Sequence, residues 1–148
     1  MSDTGLRQIG EVLALDWPRE QKATRIAELI RASRGFHWVG VYAVQGEEIA
    51  GIGWTGAQAP AFPCFPATQG LCSAALALRT PVVVGDVRRD PRYLTTFGST
   101  VSEAIVPVIR GDAVLGLIDV ESDRLNAFIP PDIDFLKQCA ALIGPLFD

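Results

Sequence analysis

The sequence has no apolar run approaching the roughly 20 residues that span a bilayer, and Met1 to Asp16 lacks the basic start and apolar stretch of a secretory signal. Both absences lead to the expectation of a cytoplasmic protein with no membrane partner. Positive charge is scarce: 13 Lys and Arg face 17 Asp and Glu, for a net charge of −4. A nucleic-acid partner is therefore not expected, since such binders carry a basic face that releases counterions. Arg88, Arg89 and Arg92 form the one local exception, suited either to an anion at a pocket mouth or to a solvated loop. Cysteine is sparse as well. Three of them, without tight spacing, make neither a disulfide framework nor a zinc site. With His37 the only histidine, Ser-His catalysis and metal binding also lack support, so no metal and no cofactor are expected.

What is present suits one small α+β domain over residues 1–148, in which residues 1–22 form an N-terminal helical extension. Apolar residues make up 49% and charged ones 20%, enough apolar content for a packed core. Leu6, Ile9, Val12 and Leu13 recur at helical spacing until Trp17-Pro18 breaks the pattern. A second helix is predicted from about Pro18 to Arg34, with Gly35 as its left-handed stop. Two strands, Phe36 to Val44 and Ile49 to Trp54, flank the turn Gln45-Gly46-Glu47. A proline-rich loop then leads to a short extended piece near Cys64, suited to closing over a pocket. Further elements are predicted as a short helix from Ser73 to Arg79, a strand from Pro81 to Val84, and a long connection from Asp86 to Thr100. A hairpin of Ala104 to Arg110 and Val114 to Glu121 turns at Gly111-Asp112, and a last helix runs from Pro130 to Phe147. Successive hairpins imply an antiparallel sheet flanked by helices, in place of repeated βαβ units.

Alternation places Asp119 and Glu121 on the strand face of Leu115 and Leu117, a face that starts apolar and ends acidic. Paired carboxyls at the end of a buried face grip an ammonium or amide group, or one holds a proton for its neighbour. The alternative is that the strand leaves the core there and both acids meet solvent. Glu103, just before the preceding strand, is placed to join them across the ladder. Trp38 and Tyr42 share a face with Gly40 between them, and Trp54 follows on the neighbouring strand, either as an aromatic wall or as plain core. Cys72, at the apparent start of a helix, is in a position that lowers a thiol's pKa. Cys64 and Cys72 are equally readable as small buried hydrophobes, and Cys139 as core.

Taken in order, Thr80-Pro81-Val82-Val83-Val84-Gly85-Asp86-Val87, Asp90-Pro91-Arg92-Tyr93, Ser102-Glu103-Ala104-Ile105-Val106-Pro107-Val108 and Val114 to Ser122, followed by Asn126-Ala127-Phe128, resemble the GAF domain family. The resemblance implies a central antiparallel sheet flanked by N- and C-terminal helices, a pocket under long loops on the other face, and a homodimer formed through terminal helices. Trp38-Val39-Gly40-Val41-Tyr42, Gly70-Leu71-Cys72 and Ser102-Glu103 are further similar to the free methionine-R-sulfoxide reductases within that family. That likeness implies acidic substrate-holding residues at Glu103, Asp119 and Glu121, an upstream cysteine at Cys72, and Cys64 as a displaced substitute for another. By the same likeness, the place of the attacking loop cysteine falls on Thr96, whose hydroxyl cannot form a sulfenic acid.

Three functions follow as expectations. The preferred one is a small-molecule sensor or binding protein for a polar or zwitterionic ligand held by Trp38, Tyr42, Trp54, Glu103, Asp119 and Glu121. The second is a divergent sulfoxide reductase using Cys64 or Cys72 with thioredoxin as reductant, and the third a dimeric interaction module that binds no ligand.

Overall fold

In the computed structural model, which describes residues 2–94 and 98–148, helix α1 (Ser2–Leu13) and helix α2 (Arg19–Arg34) precede the sheet. Pro18 opens α2, Gly35 closes it in the left-handed conformation, and Ala23, Ile26, Ala27 and Ile30 form its buried stripe. Strands β1 (Trp38–Gln45), β2 (Glu48–Thr55) and β3 (Cys64–Pro66) come next, then helix α3 (Gly70–Leu78) and strand β4 (Val82–Val84). The long hairpin of β5 (Ser102–Arg110) and β6 (Ala113–Ser122) leads to helix α4 (Pro130–Leu142). The strands form one sheet in the order β3-β2-β1-β6-β5-β4, each neighbouring pair antiparallel. The α+β expectation is met. None of the described helices is long and apolar enough to cross a membrane.

Alternation sorts the sheet's side chains into two clusters. Val39, Val41, Ala43, Ala104, Val106, Ile118 and Val120 pack with α1, α2 and α4, while Trp38, Tyr42, Ile49, Ile105 and Leu117 pack under α3. Strand β6 is covered on both faces, which is why it reads as a continuous apolar run. Helix α2 sits very close to β2, because Gly53 presents no side chain and α2 answers with Ala23: a Cβ built on Gly53 would collide with the backbone nitrogen of Thr24 and fall 2.5 Å from the carbonyl carbon of Ala23.

Three local expectations shift. Helix α3 starts at Gly70, three residues before the Ser73 expected, and so draws Cys72 into its first turn. The last helix stops at Leu142 and tightens into a 3-10 turn over Gly144–Phe147, since Pro145 cannot donate to a continuing α-helical ladder. A bulge skips Leu115 between the pairs Val108 with Gly116 and Ile109 with Val114. Leu115 therefore drops out of the alternation that Leu117, Asp119 and Glu121 keep, and Val114 packs at the α3-side cluster instead.

Candidate functional site

The acidic end of β6 is inside the protein. Glu103, Asp119 and Glu121 are 4%, 3% and 0% exposed, which excludes the reading in which the strand leaves the core. The ladder explains their convergence. Glu103 pairs with Glu121 and Ile105 with Asp119, while on the other side of β6 Gly40 faces Asp119 and Trp38 faces Glu121. Each acid offers an oxygen within 4.8 Å of the others, a spacing that suits a cation, whether an ammonium group or a metal ion. Thr100 Oγ1 donates to Glu121 Oε1 at 2.9 Å. Among the described residues Asp119 Oδ1 has no hydrogen-bond partner, an expensive state for a buried acceptor and one that a ligand donor would relieve.

Burial pushes the Glu103 carboxyl up to about 8, against a bond from Asp119 that pulls it down, with Glu121 adding to the rise. Asp119 is driven well above the carboxylate range, first by burial and then by the charge of Glu103.

Beside the acids lies a cavity walled by Tyr42, Phe62, Phe65, Leu71 and Leu94, with Cys72, Glu103 and Asp119 at its polar end. Its free space is about 20 Å3, room for little beyond a water-sized body. Gly40 leaves room for two neighbouring rings, since a Cβ there would fall 2.5 Å from the Trp38 indole and 2.9 Å from the Tyr42 ring, and of the two Tyr42 lines the cavity while Trp38 does not. Trp38 is buried beneath the loop that follows β2, its Nε1 donating to the Gln58 carbonyl at 2.9 Å. Phe62 on that loop and Leu94 on the long connection are the cavity's loop-borne walls, and neither was foreseen; the prolines around Phe62 marked the loop but not which side chain turns inward.

The cysteines are not together. Cys72 is buried at the cavity, and its thiol is raised well above the usual value by burial, then by Asp119, Glu103 and Glu121, the opposite of the lowering expected from its helical position. Cys64 pairs with Ala50, so it projects to the face opposite Ile49 and Phe65, away from the cavity. It is exposed and donates to Glu48 Oε2 at 3.1 Å, a bond that raises its pKa. Cys139 is fully buried in the helical core, as expected. Thr96 lies outside the described residues.

Among the other candidates, Trp54 shares the face of Gly40 by register, yet it is 37% exposed and does not line the cavity. Arg88 is bound bidentately by Asp86 and Arg92 by Asp90, and neither reaches the cavity lining, so the loop cations serve their own loop. His37 is exposed, 3.9 Å from Asp123.

Comparison with known proteins gives this geometry a family. The model of the GAF domain matches residues 18–145. The GAF domain-containing protein A of Dictyostelium discoideum is 27% identical over 119 residues, which cover 80% of this chain and 74% of that protein. The free methionine-R-sulfoxide reductase of Saccharomyces cerevisiae is 34% identical over 77 residues, 51% of this chain and 43% of that protein, so the match spans under half of the yeast enzyme. Among solved structures, the free methionine-R-sulfoxide reductase of Neisseria meningitidis in complex with its substrate superposes with a TM-score of 0.87 at 27% identity, covering 99% of this chain and 87% of that one. With a matching model over most of its length and the two-faced antiparallel sheet described above, this chain belongs to the GAF domain family.

Proposed function

We propose that this chain is a small-molecule-binding GAF protein whose cavity takes a polar or zwitterionic ligand by its ammonium group. One observation carries the reading: Glu103 and Asp119 line the polar end of a largely apolar and aromatic cavity, Glu121 is buried within 4.8 Å of both, and none of the described residues donates to Asp119 Oδ1. Apolar walls with a few convergent polar groups are the usual make-up of a ligand site. Ligand access requires the loops to open, and Phe62, already 40% exposed, is the wall side chain with least to lose by moving. A thermal-shift panel of free amino acids, their N-acetyl derivatives and amine-free analogues tests the reading. A ligand at a hundred times its Kd adds about 2.7 kcal/mol, or roughly 5 to 10 °C in Tm for a chain of this size. Free-amine compounds are expected to give that shift and N-acetylated ones none. A panel without any shift favours a module that binds no ligand, for which the small free volume speaks.

A reductase is the second reading, favoured by Cys72 lining the same cavity. In that chemistry the thiol and the sulfoxide give a sulfenic acid and a thioether, and a dithiol then reduces the sulfenic acid to thiol and water. The raised thiol works against it, since the thiolate is the nucleophile. Consumption of reducing equivalents from a thioredoxin system on free methionine-R-sulfoxide, abolished by Cys72→Ser and untouched by Cys64→Ser, is the expected result of this reading. No consumption removes it.

A further inference from the structure

Glu103, Asp119 and Glu121 each bring an oxygen within 4.8 Å of the others, and all three are buried. Carboxyl groups this close and shut off from water cannot all ionise without a counter-charge, so at least one proton stays among them. Among the described residues, the groups that face the cluster offer no counter-charge. From β1 comes the Tyr42 phenol and from α3 the Cys72 thiol, both kept neutral by burial and by the acids themselves. Thr100 presents a hydroxyl, and β4 places Val84 opposite Glu103. No lysine, arginine or histidine is among the described residues that line the cavity.

We infer that the unliganded cavity holds a proton shared among Glu103, Asp119 and Glu121, and that a cationic group is taken up only in exchange for it. The inference rests on the reading of the cavity as a ligand site. The exchange is balanced: an ammonium group arrives with one positive charge, the shared proton leaves to solvent with one, and the net charge of the site is unchanged. Asp119 Oδ1, which has no donor among the described residues, is the acceptor that gains one when the ammonium arrives.

Two consequences distinguish this from simple ion pairing. Affinity rises with pH, by about tenfold per unit for one proton released, until the cluster has lost its proton. With the Glu103 carboxyl held up at about 8, that rise covers the neutral range. The site also discriminates by charge class: a neutral isostere leaves the proton in place and gains nothing from the acids, and an anion is repelled by them.

Infrared spectroscopy of the unliganded protein tests the proton by itself. At neutral pH the carbonyl stretch of an undissociated, water-excluded carboxylic acid is expected, weakened in either near-isosteric variant, Glu103→Gln or Asp119→Asn, and fading as the pH is raised beyond about 8. Titration calorimetry with L-methionine and with methylammonium, in phosphate and in Tris at one pH, then tests the exchange. Apparent heats that differ between the buffers by the equivalent of about one released proton support it. Absence of the carboxylic acid band overturns the shared proton. A band accompanied by binding heats that are the same in both buffers overturns the exchange, and a band with no binding of either probe overturns the exchange and the ligand reading together.

Discussion

Gly53→Ala is expected to cost about 3 kcal/mol of unfolding free energy, read from the urea midpoint, at the upper end of what overpacking usually costs. At Gly53 strand β2 lies close against α2, and the added methyl would meet the backbone of Thr24 and Ala23. A flexible side chain could swing aside; a helix backbone cannot, so α2 must lift off the sheet and loosen the packing of Ile26, Ala27 and Ile30. Gly10→Ala in α1 is the control, because nothing lies within 4 Å of the position a Cβ would take there. That substitution is expected to be neutral or slightly stabilising through helix propensity. A Gly53→Ala protein as stable as the control variant would show that α2 and β2 are not in close contact.

The second large effect is a loss of stability as pH rises from mildly acidic to mildly alkaline. Glu103 and Asp119 have folded-state pKa values above those of exposed carboxyls, so between the unfolded and folded values the native state binds more protons than the unfolded chain. In that window, from about pH 4.5 up to about 8 for Glu103, unfolding free energy must fall as pH rises. The exposed pairs Asp86 with Arg88 and Asp90 with Arg92 act in the opposite sense, because their carboxyls are lowered; they lose stability only as pH falls below the ordinary carboxylate range, and solvent screening keeps their share small. Glu103→Gln, which keeps the shape and removes the ionisation, is expected to flatten the fall and to leave the variant at least as stable as the parent at mildly alkaline pH. Urea unfolding across this range reads both curves. A parent protein whose stability is level throughout would mean that the acids are ionised in the folded state and their burial is compensated by something else.

Much of this architecture is legible in the sequence, because it is written in periodicity. Val114 to Val120, apolar at every position but Gly116 and Asp119, announces a strand covered on both faces, and the two-residue spacing of Asp119 and Glu121 puts both acids on the face that turned out to enclose them. What periodicity cannot supply is the pairing partner. The face of Cys64 is set by its register opposite Ala50 on β2, so an offset counted along the chain from Cys72 said nothing about whether the two thiols meet. Trp54 falls on the expected face by register, but its position near the end of β2, outside the α3-side cluster, leaves it half open to solvent. The pKa of Cys72 went the other way from expectation because a first-turn position says nothing about three acids brought in from β5 and β6. Cavity size was out of reach for the same reason: it depends on how the loop-borne Phe62 and Leu94 come to rest.

All three acids belong to a single ribbon, the β5–β6 hairpin between Glu103 and Glu121, whereas the apolar walls are contributed by β1, β3, α3 and the loops on either side. The electrical character of the hollow and its dimensions are thus encoded on separate stretches of chain. Changes at Phe62 and Leu94 can widen, narrow or reshape the chamber while the hairpin keeps its carboxyls, so size and charge can vary independently of each other.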